Sequence, residues 1–122
     1  MRLTKDQINE YKQVVLSGID GENYGKELET DKEKIQFVMD CFQAEAYKWQ
    51  KQKNIQTVFA AWLMGLPSAL YIPFYNSEII ELAERINGIK YSEKQAEKII
   101  ENYFSFMTTI FFKLVKQYKI EF

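Results

Sequence analysis

None of the 122 residues is histidine. That removes the commonest general base and the commonest neutral metal ligand, and with them every triad or zinc arrangement built on imidazole. The remaining candidate nucleophile is the single cysteine, Cys41, set between Phe37 and Phe42, where a thiolate would have to rely on Lys48 or on more distant charges. Nothing there would hold a thiolate, so Cys41 is expected as a small, half-buried side chain. Glu78, Glu81 and Glu84 alternate with apolar residues as the solvated side of a helix would, and a dimetal carboxylate site would add Glu-x-x-His elements that this chain cannot supply. The expectation is therefore no enzyme, no catalytic residue, no metal and no cofactor. A rival reading, a small enzyme working through carboxylate, Tyr or Lys, stays open.

Two charged groupings could act on ions. Asp20 to Asp31 resembles a calcium loop of the EF-hand type, with Asp20, Glu22, Gly25 and Asp31 at its first, third, sixth and last positions. Tyr24 and Glu27 depart from that pattern, and Asp31 has a shorter reach than the Glu that would bind in bidentate fashion. An acidic connector without a specific calcium response is expected instead. Lys48, Lys51 and Lys53, and again Lys113, Lys116 and Lys119, sit where each helix would end and where cations stabilise the negative helix terminus. Sixteen basic residues against seventeen acidic ones leave a formal charge of -1, with only Arg2 and Arg85 able to make bidentate contacts. Nucleic acid is thus disfavoured as a partner, although local Lys patches keep a nucleic-acid-associated accessory role as an alternative.

The most distinctive stretch is residues 62–76, WLMGLPSALYIPFYN. Pro67 and Pro73 restrict the backbone on either side of SALYI, and Leu70, Tyr71, Phe74 and Tyr75 crowd a segment too interrupted for one regular helix. It reads either as a buried crossover or as a preorganised recognition surface. The docking residues expected for a protein partner are Tyr71, Phe74 and Tyr75, together with Phe112 of the last helix. No charge falls between Asn54 and Ser77, a length able to cross a bilayer. Gly65, the two prolines and four polar side chains break it, so no membrane span is expected.

Trp62, Leu63, Gly65, Leu66, Pro67, Ser68, Ile72, Pro73, Phe74, Tyr75 and Asn76, supported by Gly18 to Leu28, resemble a block shared by a family of small helical proteins encoded by bacteria, phages and mobile elements. The resemblance covers about a quarter of the chain. It implies a small accessory gene product and brings no catalytic residues with it.

Around these features the elements are helical. Thr4 with Gln7, Thr30 with Glu33, and Ser92 with Gln95 have capping-box spacing. Asn76 is a fourth candidate cap, and Gly18, Gly65 and Gly88 are placed where left-handed residues would stop helices. Ile8, Tyr11 and Val15 mark a first amphipathic helix, and Ile35, Val38, Met39, Phe42, Ala46 and Trp49 a second. The charge-free third, Ile55 to Met64, is expected to be central and buried on most sides. Ile79, Leu82, Ala83 and Ile86 define a shorter fourth, ended by Asn87 and Gly88. The longest runs from about Ser92 to Tyr118, with Ala96, Ile100, Tyr103, Met107, Ile110 and Leu114 as its seam and Phe104, Phe111, Val115 and Tyr118 beside it. Ser105, Thr108, Thr109, Phe112 and Lys116 are expected on the opposite face. A large ring there calls for cover from other helices or from another chain, the basis for expecting a homodimer through the last helix.

The sequence therefore predicts one all-α domain over residues 1–122, a compact bundle of about five helices with a proline-bounded aromatic connector. The lone cysteine and the charged, polar start fit a cytoplasmic protein. Its expected role is non-enzymatic: an accessory or modulator protein of a phage or mobile element acting on a host protein, for example as an anti-defence inhibitor.

Overall fold

A computed structural model describes residues 3–21, 25, 27–46, 54–65, 72–73 and 75–122. Five helices follow one another: α1 (Lys5–Ser17), α2 (Asp31–Ala46), α3 (Ile55–Met64), α4 (Asn76–Asn87) and α5 (Glu93–Gln117). Among the described residues there is no strand, and no helix is long and apolar enough to cross a membrane.

Local chemistry explains most of the boundaries. At α1 and α5 the capping boxes close in both directions. The Gln7 N–H donates to the Thr4 hydroxyl and the Thr4 N–H to Gln7 Oε1, while Gln95 and Ser92 exchange the same pair. At α2 the exchange differs: the Glu33 N–H donates to the Thr30 hydroxyl, which donates in turn to the Glu33 carboxylate. The amide oxygen of Asn54 caps α3 by accepting from the N–H groups of Gln56 and Thr57. Asn76 is not a cap. It is the first helical residue of α4, and Tyr75 occupies the cap position with extended backbone and no side-chain cap bond.

Of the three glycine stops, only Gly88 is left-handed, with φ +68°. Gly18 and Gly65 keep right-handed φ values of -85° and -86°, their N–H groups bonding back to carbonyls of the last turn. The second tight reversal falls on a residue without glycine's freedom. Lys119 has φ 52°, its N–H donates to the Lys116 carbonyl, and the Ile120 N–H donates to that of Val115. This is a Schellman motif, completed by the burial of Ile120 against the core. It turns the chain so that the Gln36 amide can donate to the Glu121 carbonyl at 3.1 Å.

Helix α5, rather than α3, is central: it packs against each of the other four. The reason lies in its breadth. Phe104, Thr108, Phe111 and Val115 are spaced four, three and four apart, so they form a second seam beside Tyr103, Met107, Ile110 and Leu114, and α5 can face helices on two sides. Thr108 therefore lies inside the bundle, at 2% exposure, and not on the outer face expected for it. Phe42, Phe59, Trp62 and Phe111 interlock across α2, α3 and α5, with Phe59 stacked on Phe111 at 4.7 Å and edge-on to Phe42 at 5.0 Å. Glu45 accepts the Trp62 indole N–H at 3.0 Å, which satisfies the one polar atom of that ring.

Candidate functional site

Helix α3 buries one face only: Val58, Phe59, Trp62 and Leu63 point into the core. Its outer side is exposed at Ile55, Gln56, Thr57, Ala61 and Met64, the last 68% accessible. Absence of charge suggested burial on most sides, and the structure corrects this. Ten residues make under three turns, and α2 and α5 both pack on the same side of them, so the rest of an uncharged helix meets solvent. Beyond the helix, Ile72 is buried and Pro73 half-buried, while Tyr75 is 61% exposed at the start of α4.

The four expected docking residues thus separate. Tyr71 and Phe74 lie outside the described residues, as do Leu66, Pro67, Ser68 and Leu70. Tyr75 is a surface side chain. Phe112 is half-buried, edge-on to Phe59 at 5.3 Å and to Phe122 at 6.2 Å. Part of its cover comes from α3 and from the residues that follow the turn at Lys119.

A second group of side chains gathers where α1, α4 and α5 meet. The Glu84 carboxylate accepts the Tyr91 N–H at 2.9 Å and so fixes the connector between α4 and α5. Asn87, in the last turn of α4, donates its amide N–H to the Tyr91 hydroxyl and is also hydrogen-bonded to Tyr11. Burial pushes the Tyr11 phenol above the usual tyrosine range and neighbouring Tyr91 adds to the rise, whereas the Asn87 bond and Arg85 pull against it. Tyr11 meets Phe106 edge-on at 4.8 Å. Sequence reasoning treated Tyr11 as core and Asn87 as a helix end, and left Tyr91 unremarked. The short span from Asn87 to Tyr91 between two helices was the available signal, because a polar side chain ending one helix must meet whatever the next connector folds over it.

The remaining candidates are quickly placed. Cys41 is half-buried against the core. Asp31 begins α2 and accepts the Tyr118 hydroxyl at 3.3 Å, while Glu22 and Tyr24 of the acidic loop lie outside the described residues. Among the described residues, no group of three or more Cys, Asp or Glu side chains could hold a metal ion. Lys113, Lys116 and Lys119 are exposed, and Lys48, Lys51 and Lys53 lie outside the described residues. Comparison with protein-family models, with curated proteins and with solved structures finds no match to this chain.

Proposed function

We propose that this protein acts by binding another protein and catalyses no reaction itself, as an accessory or modulator protein of a phage or mobile element directed at a host protein, such as an inhibitor of a host defence. The observation that carries the reading is the uncharged outer face of α3, with Met64 and Tyr75 exposed at the two ends of the proline-bounded connector. Large apolar and aromatic side chains held on such a segment lose little further entropy on docking, and residues of this kind dominate interface energies. The resemblance of the connector to the phage and mobile-element family supports the biological assignment.

Affinity capture from a host lysate tests the reading, with wild type compared against a Met64→Lys, Tyr75→Ala double variant. One host protein should be retained by wild type and lost by the variant, while helicity and thermal midpoint stay nearly unchanged, because both side chains are exposed. Specific turnover in a metabolite screen, or capture that is indifferent to the double variant, would overturn it.

A further inference from the structure

Between α1, α4 and the first turns of α5 lies a cavity of about 410 Å³. That is the scale of a small-molecule site, for which roughly 300 to 1,000 Å³ is usual. Its walls include the rings of Tyr11, Tyr103 and Phe106, which suit an aromatic guest because offset and edge-on ring contacts add to plain burial. Two polar features give the space a direction. Asn87 lines the cavity, and its amide oxygen is buried and accepts no hydrogen bond, a costly state that a donor in the cavity would relieve once the Asn87 amide turns toward it. Lys98 is the only charged side chain among the described residues of the wall, so these residues present a single positive charge. The nearby Glu84 carboxylate is outside the lining and holds the Tyr91 N–H.

We propose that this cavity binds a small aromatic carboxylate bearing a hydroxyl group, its ring among Tyr11, Tyr103 and Phe106, its hydroxyl donating to Asn87 and its carboxylate paired with Lys98. Among the described lining residues one lysine supplies the positive charge, which matches a single monovalent carboxylate better than a phosphate, which favours bidentate and multiple donors. The site does not rest on the protein-binding reading, since it lies on different elements from the outer face of α3, and either can fail without the other.

Para-hydroxyphenylacetate is a suitable probe, with phenylacetate lacking the hydroxyl and para-hydroxyphenylethanol lacking the charge. Titration of the whole protein followed by amide NMR should give saturable shifts at Tyr91, Lys98 and Tyr103. Removing the hydroxyl should weaken binding about fivefold, the scale of one buried hydrogen bond. Losing the carboxylate should weaken it about threefold, the scale of an exposed ion pair, and Lys98→Gln should erase the difference between acid and alcohol. These deletions sit on the ligand or on an exposed side chain, so folding is not at stake. No saturable shift with any of the three, shifts confined to other elements, or equal binding of all three would overturn the proposal.

Discussion

Thr108 is the one polar residue in the core of the described chain, and its hydroxyl has no hydrogen-bond partner. Replacing it with valine exchanges that hydroxyl for a methyl group of nearly the same size and keeps the β-branched shape, so neither rotamer freedom nor helix propensity changes much. Burying a hydroxyl without a partner costs about 1–3 kcal/mol, and the added methyl is worth somewhat under about 0.8 kcal/mol where it meets the apolar seam of α5. Thr108→Val should therefore stabilise the protein by about 1–3 kcal/mol. Unfolding entropy of about 2.1 cal/mol/K per residue then converts each kcal/mol into a rise of roughly 4 °C in thermal midpoint for a chain of this size. Urea denaturation followed by far-UV circular dichroism would show a higher midpoint at an unchanged slope, since the exposed area does not change. Thr109→Val is the matched control: Thr109 is exposed and donates to the Ser105 carbonyl at 3.0 Å, so its replacement should shift stability by no more than about 0.5 kcal/mol. Loss of stability in Thr108→Val would refute the reasoning, because it would mean that the hydroxyl gives up a bond when removed.

Lys119→Gly should stabilise by about 0.5–1 kcal/mol, as relief of the left-handed backbone outweighs the extra freedom glycine has when unfolded; a loss in the same urea titration would contradict the Schellman geometry. Raising the pH should leave stability level until unfolded tyrosine begins to ionise, near about pH 10, and then lower it as the raised Tyr11 phenol titrates in the folded state. Tyr118, raised by burial and by the Asp31 carboxylate, acts in the same direction, so Tyr11→Phe should shrink the alkaline loss without abolishing it, and an unchanged profile would count against a buried Tyr11. For the homodimer through α5 that the sequence leads one to expect, sedimentation should show a doubling of mass with concentration that Phe112→Ala reduces; one monomeric boundary throughout would remove that assembly.

What the sequence determined by itself was whatever is decided within a few residues. The reciprocal caps at Thr4 and Ser92, the left-handed stop at Gly88 and the apolar spacing of α1, of α4 and of α2 from Ile35 to Phe42 all depend on groups one turn apart, and each stands in the structure where spacing put it; Trp49, expected on the same face of α2, lies outside the described residues. Tertiary structure decided the rest. Lack of charge marked α3 as central and helical spacing marked Thr108 as outward, yet which face of a helix is covered depends on the neighbours available to cover it. Here α5, long and apolar on two adjoining seams, became the hub and drew Thr108 inward. The left-handed turn at Lys119 shows the same dependence. No glycine announces it, and it holds because Ile120 gains burial and the residues that follow dock beside Gln36. The cavity was equally invisible in the sequence, since Tyr11, Asn87 and Lys98 come from three helices and meet only when α1, α4 and α5 have packed.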